Sequence, residues 1–251
     1  MTSEMKTEAV QRFGATVAAL AEALDWPRLG LEYCEEGGLE FFDEEQREAV
    51  VDAGLAFAED LAELLKPGGR SLYVGAGVAE LVQIVFESVV LEREVVIASL
   101  PCFEVDELNR VLAEVGSKFG LELPTFMGKP LAELETEAGF DHVWHVSVLS
   151  DPDAFPALHD YLYDRHKPED GATGSGHYPH DKARAREMIK DVISRFDVPC
   201  VLSTSDEEWD LFGPAIGRAG LAVDMAARGR LSPIVGDVVR QALVEKAPAD
   251  E

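Results

Sequence analysis

The stretch Ser71-Leu-Tyr-Val-Gly-Ala-Gly-Val-Ala79 decides the fold that this sequence predicts. Its first four residues suit a short buried strand, and the Gly-Ala-Gly segment at 75–77 suits a tight turn. Glycine leaves no side chain at such a turn, so the backbone can approach a ligand closely, and a helix N-terminus can begin just beyond it. The stretch therefore predicts a strand, a turn and a helix in succession.

Strand-like and helix-like segments alternate from this stretch to about Val223. The predicted strands are 71–74, 95–98, 121–126, 142–149, 199–204 and 221–225. The predicted helices between them run from the glycine turn through Leu91, and then over 105–115, 153–165, 182–195 and 206–218. Such alternation is typical of parallel βαβ units with helices on both faces of the sheet. We therefore predict an α/β fold, doubly wound around a mostly parallel sheet.

Two amphipathic helices are predicted before the first strand. Apolar residues recur at helical spacing over 3–25, where Trp26-Pro27 ends the pattern, and again from Asp43 to Leu65. We expect residues 1–66 to form an N-terminal helical layer packed on a Rossmann-like α/β domain of residues 67–251, the two making one structural unit.

The C-terminal segment is predicted to be a further helix. Ser232-Pro233 has the composition of a helix start, and apolar residues follow it at near-helical spacing up to Leu243. The sequence therefore predicts a capped helix over about 232–243.

The charge of the chain bears on its partners. It has 48 acidic and 22 basic residues, a formal net charge of -26. Such a surface repels phosphate backbones and anionic lipid, so neither nucleic acid nor a membrane is expected as a direct partner. One basic stretch, from Lys182 to Lys190, is the local exception. The chain has no long apolar run and no signal-peptide pattern, so we expect a cytoplasmic protein, and a homo-oligomer stays open.

Three segments carry a resemblance to a known family. They are Leu72–Ala79, then VVIASLPCFEVDELNRVLAEVG at 95–116, and then PLAELETEAGFDHVWHVSVLSDP at 130–152. The first resembles the opening motif of class I S-adenosylmethionine-dependent methyltransferases, and the other two resemble the second and fourth βα units of that family. The resemblance covers roughly residues 66–225, in shape more than in identity.

This resemblance implies a methyltransferase-like protein that uses S-adenosylmethionine and acts on a small-molecule acceptor. The cofactor-binding residues that it implies are Tyr73, Gly75, Gly77, Ser99, Lys129 and Ser147. No catalytic residue is assigned, because the sulfonium is already an activated methyl donor and the protein mainly aligns the acceptor.

Four positions depart from the family's pattern, namely Tyr73, Ala79, Ser99 and Lys129. Ser99 stands where the family commonly has an acid that accepts hydrogen bonds from the ribose hydroxyls, and a neutral acceptor is weaker than a charged one. Glu104 or Asp106 is an alternative source of that acid from the next turn. The departures leave open whether the chain is an enzyme, and they favour one alternative, a non-catalytic binding or scaffold protein with an eroded cofactor site.

Two other interpretations compete with this one. The segment KPGGRSLYV at 66–74 also resembles the turn into the family's fifth strand, which would shift the register of the whole domain. A nicotinamide-dinucleotide enzyme would need a third glycine where GAGVAE has Glu80, so we rank that class last.

All six histidines lie between 142 and 180, which raises the question of a metal site. His177, His180 and Asp181 have short loop spacing, and His159 or His166 would complete a ligand set. The chain shows no HExxH pattern and no fixed cysteine spacing, so we expect no metal. The loop-like stretch 166–181 is expected to cap the acceptor side together with the N-terminal helices.

Overall fold

A computed structural model describes residues 3–34, 36–135, 139–165, 172–173 and 176–248. The chain divides into two compact units. The first unit comprises Met1–Pro130 with Ser232–Ile234, and the second comprises Leu131–Leu231 with Val235–Glu251. The predicted boundary near residue 66 stays a prediction.

Helices make up most of the first unit. They are α1 (Ser3–Ala23), α2 (Trp26–Tyr33), α3 (Gly38–Phe41), α4 (Glu44–Leu64), α5 (Leu81–Val89) and α6 (Phe103–Phe119). Helix α1 packs on α5 and α6, and α4 packs on α5. The two long N-terminal helices therefore form the predicted helical layer, and Asp43 caps α4 by accepting a hydrogen bond from the Gln46 N–H.

The sheet of the first unit begins with β1 (Arg70–Val74), which pairs in parallel with β2 (Glu94–Ala98). A strand was predicted over 121–126, but only Phe126 forms a bridge, to Ile97. The side chain of Asn109 bonds both the N–H and the carbonyl of Phe126. The predicted third strand is thus reduced to a single bridging residue, whose N–H and carbonyl both bond a side chain.

The second unit contains β3 (Phe140–His145), β6 (Phe196–Ser205), β7 (Leu221–Met225), β8 (Arg230–Leu231) and β9 (Val238–Lys246). Strands β3 and β6 are parallel. Strand β9 runs antiparallel to β6, β7 and β8. The helices of this unit are α7 (Pro156–Leu162), α8 (Tyr178–Ser194) and α9 (Asp206–Arg218). Helices and parallel strands alternate in both units, which confirms the α/β prediction.

The C-terminal helix predicted over 232–243 is wrong, because this part of the chain forms β9. Val239, Gln241 and Val244 are buried there, and β9 pairs with β6 from Cys200 to Ser205. The apolar spacing fits both a helix and a strand. A strand forms here because β6 and β7, on either side, supply the hydrogen bonds of a ladder.

Local details differ in two further places. Pro27 does not end the helical region but lies in the first turn of α2, where its missing N–H costs nothing. The helix predicted over 153–165 begins only at Pro156, after a turn whose N–H groups at Asp153 and Ala154 donate to the Asp151 carboxylate.

The stretch expected to be a long loop is described only in part. Residues 166–171 and 174–175 lie outside the described residues. Two short strands, β4 (Ala172–Thr173) and β5 (Gly176–His177), pair antiparallel, and α8 begins directly afterwards. Among the helices in the described ranges, none is long and apolar enough to cross a membrane.

Candidate cofactor site

The glycine turn of the first unit lies between β1 and α5. Gly75 has a positive φ of 69°, which only glycine adopts readily. Its N–H donates to the carbonyl of Ala98 at 2.8 Å. The turn is therefore tied to the end of β2, the strand that was expected to carry the ribose-binding acid.

Ser99 supports this turn from the end of β2. It is buried, and its hydroxyl donates to the carbonyl of Ala76 at 2.8 Å. This bond fixes the middle of the turn against the residue that follows β2. Gly75, Gly77 and Ser99 were predicted as site residues, and the structure brings these three together.

Glu104, in the first turn of α6, reaches back to the glycine turn. Its Oε1 accepts hydrogen bonds from the Val78 N–H at 2.8 Å and from the Tyr33 hydroxyl at 2.6 Å. A Cβ atom placed on Gly77 would lie 2.8 Å from both carboxylate oxygens. Only a glycine at position 77 leaves room for the carboxylate in this place, so an acidic side chain lies against the turn although none stands at position 99.

Burial raises the pKa of both Glu104 and Tyr33. Loss of solvent raises the pKa of Glu104 above its usual value, while the bonds from Tyr33 and from the Val78 N–H lower it. Burial, followed by the charge of Glu104, raises the pKa of Tyr33 well above its ordinary value. Tyr33 therefore stays protonated and acts as a permanent donor to the Glu104 carboxylate.

A second carboxylate also contacts the turn. The Gly77 N–H donates to Glu80 Oε2 at 2.9 Å. The N–H groups of Gly77 and Val78 are thus both bonded to acidic side chains of the chain itself. What the turn offers a ligand is carboxylate oxygen, which accepts hydrogen bonds from hydroxyl and ammonium groups.

Tyr73 has a different role from the one predicted by the resemblance. Its side chain is fully buried, and its hydroxyl donates to the Glu87 carboxylate on α5. Ser71 donates to the same carboxylate, and Arg93 pairs with it at 3.1 Å. We call these four residues, Ser71, Tyr73, Glu87 and Arg93, the Glu87 cluster.

The two remaining predicted residues lie elsewhere. Lys129 is exposed, and the structure describes no hydrogen bond of its side chain. Ser147 belongs to the second unit, where its hydroxyl donates to Asp237 Oδ2 at 2.7 Å. Neither is brought together with the glycine turn inside the first unit. As a site residue, Tyr33 was missed because an isolated tyrosine on a predicted connector gives no signal.

The histidines that the structure describes form no shared ligand set. Across the ranges that the structure describes, no group of three or more His, Cys, Asp and Glu side chains is placed to hold a metal ion. His159 bonds the Ser150 carbonyl and Arg165, and His145 bonds the Glu208 carboxylate at 3.0 Å. His166 lies outside the described residues.

Comparisons with known proteins give likenesses in structure. No protein-family model and no curated protein matches the sequence. Pyrococcus horikoshii TYW2 in complex with MeSAdo is 11% identical over 82% of this chain and 65% of its own, with a TM-score of 0.47. Precorrin-6y C5,15-methyltransferase of Geobacter metallireducens is 13% identical over 78% of this chain and 87% of its own, with a TM-score of 0.43.

A third similar structure is the Bacillus subtilis M1A22 tRNA methyltransferase TrmK, 8% identical over 76% of this chain and 65% of its own, with a TM-score of 0.46. The chain thus spans less than two-thirds of the length of the TYW2 and TrmK chains. It is similar in fold to these methyltransferases. At such identities and TM-scores the likeness does not indicate which residues act.

Proposed function

We propose that the first unit binds S-adenosylmethionine at the glycine turn and that the chain is a methyltransferase for a small-molecule acceptor. The observation that carries this proposal is the carboxylate of Glu104, held against the side-chain-free face of Gly77 by Tyr33 and the Val78 N–H. A turn without side chains, with an acceptor fixed beside it, suits the hydroxyls of a nucleoside.

The residues present fit the cofactor in charge. S-adenosylmethionine carries a sulfonium and an ammonium, and the turn presents the acidic groups Glu80 and Glu104 to such cations. When bound, the cofactor supplies an activated methyl group. We assign Gly75 to its close approach and Glu104, whose carboxylate covers the bare face of Gly77, to its hydroxyls. Ser99 and Tyr33 position the turn and the carboxylate.

The proposal of a small acceptor follows from the charge of the chain. A formal charge of -26 opposes the approach of a polyanion such as nucleic acid. A small neutral or cationic acceptor meets no such barrier.

Calorimetric titration of the whole chain with S-adenosylmethionine tests the proposal. We expect saturable binding, weakened about tenfold or more in Glu104→Gln, which removes the charge and keeps the shape. Glu114→Gln is the matched control on the same helix, because the Glu114 side chain is 63% exposed and pairs with Arg110. No heat and no thermal shift of the native chain at millimolar cofactor would contradict the proposal.

A second candidate function is a non-catalytic binding protein with the same fold. It is favoured by the turn's own hydrogen bonds, because Glu80 and Glu104 already occupy the N–H groups of Gly77 and Val78. In that case neither the native chain nor Glu104→Gln would bind the cofactor. Added S-adenosylmethionine would then leave the thermal stability of both unchanged.

A further inference from the structure

A buried carboxylate in the second unit accepts hydrogen bonds from two hydroxyl groups. Asp237, which is 4% exposed, accepts from the Ser147 hydroxyl and from the Tyr163 hydroxyl, each at 2.7 Å. Ser147 follows the end of β3 and has a φ of +57°, which is rare for a residue with a side chain. Strained backbone of this kind is concentrated at functional sites.

Two polar atoms beside this carboxylate lack a partner. Glu207 Oε2 is buried without a hydrogen bond, and the charge of Asp237 acts on it. Ser150 is 4% exposed, and its hydroxyl lies beside that of Tyr163 but forms no hydrogen bond of acceptable geometry. Native proteins rarely leave buried polar atoms unsatisfied, and both of these oxygens are able to accept a further hydrogen bond.

The two carboxylates of this cluster have no basic side chain as a partner among the described residues. Arg240 is the nearest candidate along β9, but both of its bonds to a side chain go to Asp206, at 2.6 and 3.0 Å. Arg165 bonds His159 and lies 5.7 Å from the Tyr163 ring centre. In the described part of the chain, no lysine or arginine hydrogen bonds or pairs with Asp237 or Glu207.

The titration of the cluster agrees with this picture. Burial raises the pKa of Glu207, and repulsion from Asp237 and Asp206 raises it further. Burial and the bond to Asp237 raise the pKa of Tyr163 well above its usual value. An incoming cation would offset the repulsion between the Glu207 and Asp237 carboxylates.

We propose that Ser147, Ser150, Tyr163, Glu207 and Asp237, here called the Asp237 cluster, bind the protonated amino group of a small amine. The inference concerns the second unit alone and goes beyond the proposed function of the first. An ammonium has both the charge that the carboxylates lack and the N–H donors that Glu207 Oε2 and Ser150 Oγ can accept.

The position of the cluster agrees with a ligand site. Ser147 lies just beyond β3, and Glu207 is the second residue of α9, which follows β6 directly. These are the carboxyl ends of two parallel strands, where ligands bind in open α/β sheets. A divalent cation is a poorer occupant, because no three ligating side chains converge in the described residues.

Tyrosine-labelled NMR of the whole chain tests the site. The Tyr163 ring signals are assigned by their loss in Tyr163→Phe, and the native chain is titrated with ethylammonium chloride. We expect these signals to shift to saturation. Tetramethylammonium chloride has the same charge but no N–H, and we expect it to shift them at least about tenfold more weakly. Equal responses to both salts, or none, would overturn the inference.

Two variants test whether ethylammonium binding depends on the Asp237 cluster and not on another acidic group of the second unit. Glu207→Gln removes one acceptor charge and is expected to weaken ethylammonium binding about tenfold. Asp210→Asn, on the exposed face of the same helix, is expected to leave it unchanged. A Glu207→Gln chain that is folded, by its NMR spectrum, and binds as the native chain does would contradict the inference.

The two proposals fail separately. Ethylammonium binding without any S-adenosylmethionine binding would keep the amine site and remove the methyltransferase function. Cofactor binding without ethylammonium binding would keep the function and remove the amine site.

Discussion

Each of the two units holds a buried carboxylate that accepts hydrogen bonds from a serine and a tyrosine, but only one of them also has an arginine. In the Glu87 cluster, Arg93 completes the set and also donates to the backbone carbonyls of Lys66, Gly68 and Arg70. Both charged side chains are fully removed from solvent. Such a cluster has no capacity left for a ligand, and its role is to join β1 to α5.

The Asp237 cluster has the same kinds of group without the cation. Its tyrosine is half-buried, and two polar atoms, Glu207 Oε2 and Ser150 Oγ, are without partners. On our proposal, a Ser-Tyr-carboxylate set with its own arginine is structural, and one whose carboxylates have no basic partner binds a cationic ligand.

Breaking the complete cluster is expected to give the largest effect. Arg93→Met leaves the Glu87 charge buried and alone, which costs about 3–5 kcal/mol of unfolding free energy. The control is Arg70→Met, because Arg70 pairs with Glu94 at the surface, where such pairs contribute about 0–1 kcal/mol. Urea denaturation measures both, and a loss below about 1 kcal/mol for Arg93→Met would refute the structural role of the pair.

Removing both charges should cost less than removing one. In the double variant Glu87→Gln/Arg93→Met no charge is left uncompensated, so we expect it to recover about 1–3 kcal/mol relative to Arg93→Met. The double-mutant cycle is completed by Glu87→Gln alone. If the stability loss of the double variant equals the sum of the losses of the two single variants, the two charges do not stabilise each other.

Loss of the tyrosine hydroxyl should also destabilise the chain more in the Glu87 cluster than in the Asp237 cluster. Tyr73→Phe leaves a fully buried Glu87 oxygen without its donor, and we expect a loss of about 1–3 kcal/mol. Tyr163→Phe acts at a half-buried position, and we expect about 1 kcal/mol or less. Denaturation curves for both variants sharpen the comparison, and a larger loss at Tyr163 would reverse it.

The smallest effect is expected at Glu207, and it depends on pH. Because the pKa of Glu207 is raised in the folded chain, its ionised form destabilises the fold above that pKa and has no effect below the unfolded value. Glu207→Gln should therefore raise stability at pH 8 by only a fraction of about 1 kcal/mol, because solvent screens this partly exposed group, and by less as the pH falls. A gain that grows toward acid would contradict this, and Asp210→Asn serves as the control.

The sequence predicted most of the fold because alternation is a local property. Strand β7 lies where it was expected, and α9 begins at Asp206 as predicted. The C-terminal segment failed because Val238–Lys246 is ambiguous by spacing, and the ladder that makes it a strand comes from residues distant in the chain. The strand expected over 121–126 forms only the bridge at Phe126, whose backbone bonds the Asn109 side chain, a contact that no pattern predicts.

The candidate site was predictable in its backbone and less so in its side chains. Gly75, Gly77 and Ser99 could be found because a bare turn after a strand leaves a signature in sequence. Glu104 was named only as an alternative to Ser99, because its contact with the turn depends on the orientation of α6, which the sequence does not show. Tyr33 reaches Glu104 across 71 positions of sequence, and such a contact leaves no local signal.

A crystal structure of the chain with S-adenosylhomocysteine, the demethylated form of the cofactor, tests the central claim most directly. The account predicts density against the Gly75–Gly77 turn, with a ribose hydroxyl within hydrogen-bond distance of Glu104. The account is contradicted if the turn stays closed by Glu104 and Glu80 at saturating ligand, or if the ligand binds away from it.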